Sequence, residues 1–594
     1  MTEYVPSLTA GPDDCPICLS RLSGVSGVTT SCNHRFHMHC LAKVALTSPT
    51  PLCPICRAAI DDMLREALLA AAAAAATAPA AVAAAPAAPD AIAAAPAPAV
   101  EASDSPVPVP VPAASSEQQE NDPVDREAIE RAALSAASSA DNAASPLLQL
   151  HAEVEFSEVA AADVATIFGM VSVKAAALMD GSELVRAPLD IVVVVDKSRS
   201  MKGKKLSLLK KTLQFVTRVL TPADRLSLVE FSHSAAVLCP LWRCSNDRKR
   251  AINDIIDAVV VETGTDIASG LRAGVSVLQA RTESNSVAAV LLLTDGQDAG
   301  SLNHLDEIIA HVPKGTQVHC FGFGADHDAL VMSRIAERCY GTFSFIAALE
   351  DVQRCFAATL GGLSSTVATD IDIAIALGEA GVLAAVHSKF PHSIAADARS
   401  ASVKINDMFG DEQRDVVFSF TVPDGDEDSV IEAIKCSLTF LSPGCADVKR
   451  IVGETLTLRR PAVATPTPNL RVNAQRNRVH AAAALDEATS LCNMQKFDEA
   501  RDCLNRAIKE ISHSVSADDR LCRKLVADLE KAMLGMRSKS AYDVGGYATA
   551  AQMSSTHNQQ RQTVSADERD NDDNVSYGYN PYQNAYFEAM MENK

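Results

Sequence analysis

"LDIVVVVDKSRSM" occupies residues 189–201. Its apolar run from Ile191 to Val195 shows no polar alternation. A run of that length reads as a strand covered on both faces, as in a parallel sheet. It stops at D-x-S-x-S: Asp196, Ser198 and Ser200. The text beyond repeats the same grammar. A helix, "KLSLLKKTLQFVTRVL" (205–220), precedes a strand, "RLSLVEFS" (225–232). A turn and helix, "GTDIASGLRAGVSVLQA" (264–280), precede a strand and loop, "VAAVLLLTDGQD" (287–298). A further strand, "TQVHCFGFG" (316–324), leads to a helix, "LVMSRIAERCY" (330–340). Strands alternating with helices predict a doubly wound α/β sheet. Loops at the carboxyl ends of such strands converge where the strand order reverses.

Three of those loops carry oxygen ligands: Asp196, Ser198 and Ser200 in the first, Thr265 in the second, Asp295 in the third. Alternate residues of one loop point the same way, so the D-x-S-x-S group can face one ion. Neutral hydroxyls with few carboxylates suit a hard cation of octahedral preference, such as magnesium. The constellation resembles the von Willebrand factor A (vWA) domain and its metal-ion-dependent adhesion site, over residues 189–365. The resemblance implies that Ser198 and Ser200 bind one Mg2+ directly. It implies that Thr265, Asp196 and Asp295 bind it directly or through water. A partner's carboxylate would take the remaining position. Lys197 and Arg199 flank the serines and are expected to attract an acidic partner; Arg199 stands where the family usually has glycine. No P-loop lies near the first strand and no histidine accompanies the aspartates, which speaks against a phosphatase or nucleotide hydrolase.

The chain has 594 residues, too many for one core, and 16 cysteines. Six of these crowd the amino-terminal end, in the pattern C-x2-C, thirteen residues, C-x-H-x2-H-x2-C, twelve residues, C-x2-C. Eight such ligands make two tetrahedral zinc sites, closed and therefore structural. A unit this small needs metal to fold. Residues 12–60 resemble a RING-H2 finger, whose ligands interleave. The resemblance assigns Cys15, Cys18, His37 and Cys40 to one zinc and Cys32, His34, Cys53 and Cys56 to the other. It implies a shallow groove for a ubiquitin-conjugating enzyme, with Ile17 and Pro54 in or beside it. Arg57, directly after the last ligand, stands at the "linchpin" position. An arginine there bridges conjugating enzyme and ubiquitin with forked hydrogen bonds, so catalysis would be positioning, with no covalent cysteine intermediate. The ten cysteines from Cys239 to Cys522 lack a repeated spacing and read as small buried apolar residues.

Net charge is −21, which argues against general nucleic-acid or anionic-membrane binding. The polar start "MTEYVPSLTAGPDDC" has no leader pattern and the alanine run near residue 70 is broken by Pro79, so neither a signal peptide nor a membrane span is expected. Many cysteines without a secretory leader point to a reducing compartment, cytoplasmic or nuclear. Residues 61–144, rich in alanine and proline, read as a mobile spacer. Segments 145–188 and 366–460 carry period-two alternation, as in Ile371, Ile373, Ile375 and in Val416, Phe418, Phe420. They read as one β-sandwich interrupted by the vWA domain. Residues 469–540 change to helical periodicity, with a break near Asn493 to Lys496 and Ser516 or Asp518 as a later cap. They suit a helical packing module or a homodimer contact. Residues 541–594 are polar and free of repeats and read as a disordered tail.

The order of parts resembles the plant RING–vWA ubiquitin ligases of the wavy-growth family. "ADRLSLVEFS" and "FGFGADHDALVMSRIAERCYGTFSFI" (321–346) carry the resemblance further. The expectation is an E3 ubiquitin transferase of RING type. Its partners would be a conjugating enzyme, ubiquitin and a protein substrate held by the vWA domain through a divalent metal. The alternatives are a zinc-containing adaptor without activity and a metal-dependent adhesion or trafficking protein.

Overall fold

The computed structural model describes residues 27–30, 35–37, 121–131, 147–177, 186–324, 327–347, 351–378, 381–445, 447–453 and 455–561. The chain divides into two compact units, Met1–Ala113 and Ala114–Lys594. In the first, β1 (Gly27–Thr29) and β2 (Arg35–His37) form an antiparallel pair with Gly27 opposite His37.

The second unit opens with two strands, β3 (Leu148–Val154) and β4 (Ala165–Ala175). An α/β domain follows: β5 (Leu189–Asp196), α1 (Lys204–Val219), β6 (Arg225–Phe231), β7 (Ala235–Arg243), α2 (Asn246–Ala258) and α3 (Ile267–Gln279). It continues through β8 (Val287–Thr294), α4 (Leu305–Ala310), β9 (Thr316–Phe323), α5 (Ala329–Arg338), β10 (Phe343–Ile346) and α6 (Val352–Ser364). The sheet runs β10-β9-β8-β5-β6-β7, parallel except for the edge strand β7. Every residue of β5 is buried. Ile191, Val193 and Val195 pack under α1, α2 and α6, against residues such as Leu213, Ile252 and Phe356. Val192 and Val194 face α3 and α5, against Leu271, Val275 and Ile335. Coverage on both faces is why this strand lacks polar alternation. The edge strand β7 has no counterpart in the sequence reading, since Pro240 interrupts its pattern. An edge tolerates that residue because one side of the strand makes no ladder bonds.

Part of the expected 61–144 spacer is in fact structured. Residues 121–131 dock on the free side of β7. Asp122 N–H donates to the Leu241 carbonyl at 2.8 Å, and Leu241 and Arg243 N–H donate to Asn121 Oδ1 and Asp122 Oδ2, both at 2.9 Å. Buried Arg225 also reaches the Asp122 carbonyl at 2.7 Å while forking onto Asp190 at 2.8 Å. The physical reason is unmet edge-strand hydrogen bonding, which composition does not report.

The remaining strands are β11 (Thr366–Leu377), β12 (Val382–His387), β13 (His392–Ile394), β14 (Ser400–Phe409), β15 (Gln413–Val422), β16 (Ser429–Leu441), β17 (Val448–Val452) and β18 (Leu456–Arg460). One sheet runs β13-β14-β11-β16-β17, with β18 also on β16; the other runs β12-β15-β4-β3. Both sheets feed one core, in which Leu150, Val171, Val173 and Phe418 meet Ile371, Ile373, Ile434 and Leu438. The α/β domain is thus inserted into a β-sandwich between β4 and β11.

Helices α7 (Leu470–Asn493), α8 (Phe497–Ser512) and α9 (Arg520–Gly535) pack around Leu485, Leu504, Leu525 and Leu529. Asp519 caps α9. Ser516 is instead buried, donating to Asn473 Oδ1 at 2.6 Å. The tail expected to be disordered from residue 541 also needs correction. Helix α10 (Tyr547–Gln559) packs Ala548 on the α/β domain and Ala550 on the bundle. Ser554 and His557 are buried with partners: Ser554 donates to Asp486 at 2.5 Å, and His557 Nε2 lies 3.0 Å from Asp528. Polarity alone therefore misread this helix as solvated chain.

Arg561 ends the described chain in a junction of three bodies. It bonds Asp407 at 2.6 Å and Glu412 at 2.9 Å in the sandwich and Gln317 at 3.2 Å in the α/β sheet. Its guanidinium lies 3.7 Å from the Phe409 ring centre. Burial pushes the Glu412 carboxyl up, but the charges of Arg414 and Arg561, with bonds from Arg561 and the Phe409 N–H, hold it at about 2. Arg561→Met should lower stability by about 3–5 kcal/mol by leaving buried carboxylates unpaired, read as an earlier first transition in thermal melting. Because the folded-state value of Glu412 lies below its ordinary 4.5, its contribution is complete above that value. It should fade as pH falls toward about 2, by up to about 3 kcal/mol. Melting from pH 6 to 2, with Glu412→Gln as the flattened control, measures this.

Candidate metal centre

The five oxygen-bearing residues come from three loops on one end of the sheet. Asp196 ends β5, Asp295 directly follows β8, and Thr265 immediately precedes Asp266, the cap of α3. β5 lies between β6 and β8, where chain connections leave in opposite directions. That is the reversal point at which ligands bind in such sheets.

Asp196 has no exposed surface. One carboxylate oxygen accepts the Ser198 N–H at 2.6 Å, and the other accepts the Thr294 hydroxyl at 2.5 Å. Burial pushes its pKa up; the bonds from Thr294 and Ser198 offset part of this, and Asp295 adds to the rise. The Ser198 and Ser200 hydroxyls lie 2.8 Å apart, and Ser200 donates to Asp295 Oδ1 at 2.6 Å. Thr265 approaches Gly296 so closely that a Cβ there would lie 2.7 Å from the threonine methyl and 2.8 Å from its hydroxyl oxygen. Gly296 is therefore what lets the second loop close on the third. All five expected residues are brought together.

The donor set suits the expected ion. Adjacent oxygens around an octahedral magnesium are about 2.9 Å apart, given bonds of about 2.1 Å. The Ser198–Ser200 and Ser200–Asp295 oxygens, at 2.8 and 2.6 Å, are closer than that because they are hydrogen-bonded to each other. Arg199 needs no glycine-like backbone: it lies in a short 3-10 turn, Arg199–Met201, and the positive φ falls on Gly203, at 86°.

Lys197 corrects an expectation. Its ammonium does not face a partner; it pairs with Glu230 at 2.9 Å and Glu262 at 2.7 Å. Its backbone prolongs β5: its N–H donates to the Phe231 carbonyl at 2.9 Å and its carbonyl accepts the Glu262 N–H at 2.7 Å, so the side chain stays beside β6. Arg199 is exposed. Two residues absent from the sequence reading matter. Thr294 holds Asp196, and its only sequence signal is a hydroxyl at the end of an apolar strand. Lys205, in the first turn of α1, places its ammonium 2.5 Å from Asp295 Oδ2; no spacing rule announces it.

Beside the site, a cleft of about 300 Å3 separates the α/β domain from the bundle. Gln297 and Asp328 line one side, and Asn493, Tyr542 and Asp543 the other.

Cys15, Cys18, Cys32, His34, Cys40, Cys53 and Cys56, with Ile17, Pro54 and Arg57, lie outside the described residues. His37 ends β2. Of the ten described cysteines all but Cys445 are buried. Burial pushes Cys239, Cys244 and Cys339 up to about 12, which leaves these three thiols unreactive near neutral pH.

Comparison with known proteins adds a frame. A von Willebrand factor type A domain matches residues 190–355, a Ring finger domain residues 13–57, and a CPSF6-like RSLD domain, N-terminal region, residues 469–574. The E3 ubiquitin-protein ligase WAV3 of Arabidopsis thaliana is 27% identical over 334 residues, 56% of this chain and 43% of that protein. The E3 ubiquitin-protein ligase WAVH1 of the same plant is 24% identical over 366 residues, 58% of this chain and 48% of that protein. The chain thus spans about half the length of the curated relatives it matches. A von Willebrand factor type A structure from Catenulispora acidiphila superposes with a TM-score of 0.54 at 17% identity, covering 72% of this chain and 99% of that one; this is likeness of fold. The chain joins a RING finger to a vWA domain, with weak homology to the plant RING–vWA ligases of the wavy-growth family.

Proposed function

We propose that the chain is a RING-type E3 ubiquitin-protein ligase whose vWA domain docks a protein substrate through a divalent metal. The observation that carries the reading is one chain holding both a Ring finger match at 13–57 and converging oxygens at the reversal point of the vWA sheet. The names of the curated relatives support the ligase half.

In this reading Cys15, Cys18, His37 and Cys40 hold one structural zinc, and Cys32, His34, Cys53 and Cys56 the other. Ile17 and Pro54 meet the conjugating enzyme, and Arg57 holds its ubiquitin thioester ready for attack. The acceleration is proximity and orientation. Asp196, Ser198, Ser200, Thr265 and Asp295 would hold the divalent ion, whose chemistry would be Lewis acidity toward a carboxylate. The residues themselves orient the loops and keep the site rich in hard oxygen. The protein works in the cytoplasm or nucleus.

A second reading is a zinc-containing adaptor or a metal-dependent adhesion or trafficking protein. It has support of its own. What the described residues present is binding machinery: an oxygen-lined site, a neighbouring cleft and a body of three joined parts.

One measurement separates the readings and a second tests the metal site they share. Autoubiquitination with a panel of conjugating enzymes should be abolished by Cys53→Ser. Arg57→Ala should slow it at least about tenfold with zinc content retained. A zinc-loaded chain inert with every conjugating enzyme would select the adaptor. Separately, Ser200→Ala should weaken Mn2+ binding by about tenfold or more in calorimetry, through loss of one hard oxygen donor.

A further inference from the structure

We infer that the outer edge of β7 is a recognition site for acidic peptide segments, that residues 121–126 are the chain's own exchangeable occupant of it, and that an acidic extended segment of a partner protein takes their place. The site depends on neither the metal centre nor the ligase reading. Arg243 pairs with Arg225, and Arg225 with Asp190, whereas Asp196 pairs with Phe231. The edge around Arg243 therefore lies at the opposite end of the sheet from the converging loops.

The first observation is the kind of contact. Asp122 N–H donates to the Leu241 carbonyl at 2.8 Å, and Leu241 N–H donates to Asn121 Oδ1 at 2.9 Å. One oxygen of the Asp122 carboxylate accepts the Arg243 N–H at 2.9 Å; the other accepts the Arg248 guanidinium at 3.3 Å. Asp125 accepts the Arg243 guanidinium at 2.5 Å. Arg248 lies over the Trp242 ring, 4.3 Å from its centre, which keeps its charge at the edge. This is how a peptide joins a sheet edge: main-chain bonds give the hold, and side chains at fixed spacing give the specificity. The spacing here is N-D-x-x-D.

The second observation is how lightly the segment is held. Of its apolar side chains only Val124 and Ala128 are buried. The side chains of the Asp122–Arg248 and Asp125–Arg243 pairs are 21–43% exposed. Pairs so placed are screened by salt, and each contributes little to stability. A segment with few buried apolar contacts opens at a fraction of the free energy that unfolds a core. Residues 121–126 can thus leave while the sheet beneath them stays folded.

The third observation is what departure leaves behind. The Arg225 side chain is 2% exposed. Its Nη1 donates to the Asp122 carbonyl at 2.7 Å, while Nε and Nη2 are taken by Asp190 and the Glu283 carbonyl. Without the segment, that buried nitrogen loses its protein acceptor, as do the Leu241 and Arg243 N–H groups beside it. Charged and main-chain donors left unmet are costly. The bare edge therefore selects a segment that brings a main-chain carbonyl and carboxylates three residues apart. Basic or purely apolar segments supply neither carboxylate.

The test uses the full chain and, as probe, a labelled synthetic peptide of residues 118–131, read by fluorescence anisotropy. In wild type the tethered segment competes at an effective concentration of about a millimolar, so the peptide should bind weakly. The double variant Asp122→Ala, Asp125→Ala, whose own segment is disabled, should bind the peptide at least about tenfold more tightly than wild type. Adding Arg243→Glu to that variant should abolish binding, as should replacing both peptide aspartates by asparagine. About 0.5 M sodium chloride should weaken it several-fold. A double variant that melts like wild type and binds the peptide no better overturns the inference and leaves residues 121–131 a fixed part of the fold. If the double variant does not fold, hydrogen exchange of wild type in excess peptide decides. Faster exchange of the Asp122 and Val124 amides, with those of Leu241 and Arg243 still protected, supports replacement in trans. Exchange unchanged by the peptide overturns it.

Discussion

Asp196 stands at the end of a strand covered on both faces, with none of its carboxylate exposed. A buried charge of that kind costs several kcal/mol unless it is paired and hydrogen-bonded. Its partners come from two directions. The Ser198 N–H belongs to its own loop, and the Thr294 hydroxyl to the neighbouring strand β8. The second partner exists only because β5 and β8 lie side by side in parallel register. The same adjacency delivers Asp295 one residue later and, through Gly296, brings Thr265 against it. The site is therefore less a set of ligands attached to a fold than a consequence of satisfying one buried carboxylate. The opposite end of β5 shows similar physics with another result: Asp190, equally buried, is saturated by Arg225, Arg281 and Asn285, leaving no oxygen for a ligand.

Saturated buried charge also joins the parts of the second unit. Arg561 and Arg414 meet Glu412 and Asp407, and the Gln560 side chain bonds the Asp415 backbone through both its oxygen and its nitrogen. Arg478 adds bonds to the carbonyls of His557 and Asp415. Such contacts are directional, so they fix orientation as well as proximity. The α/β domain is held at both ends by its host sandwich and along α5 by α10. The cleft beside the converging loops is thus bounded by a fixed wall of the bundle.

Much of the fold was legible because it rests on period and run length. The uninterrupted Ile191–Val195 identified a strand buried on both faces, and Ile371, Ile373, Ile375 identified one with a single buried face. The helix break near Asn493 was visible for the same reason. Failures fell where polar residues are buried. Asn121 and Asp122 dock on an edge strand, and Ser554, His557 and Arg561 enter interfaces. Composition counts such residues as solvated, because it cannot tell whether a polar atom meets water or a partner.

The sequence by itself determined the class of the α/β domain, the β-rich segments and the helical bundle, and that the D-x-S-x-S hydroxyls and carboxylates follow a buried strand. Tertiary structure alone decided which charges act on that site. Lys197, adjacent to the serines in sequence, is turned to two carboxylates, Glu230 and Glu262. Lys205, nine residues from Asp196 and on another element, reaches Asp295. The reason is that electrostatic influence depends on distance through space and on burial, and neither quantity is written along the chain.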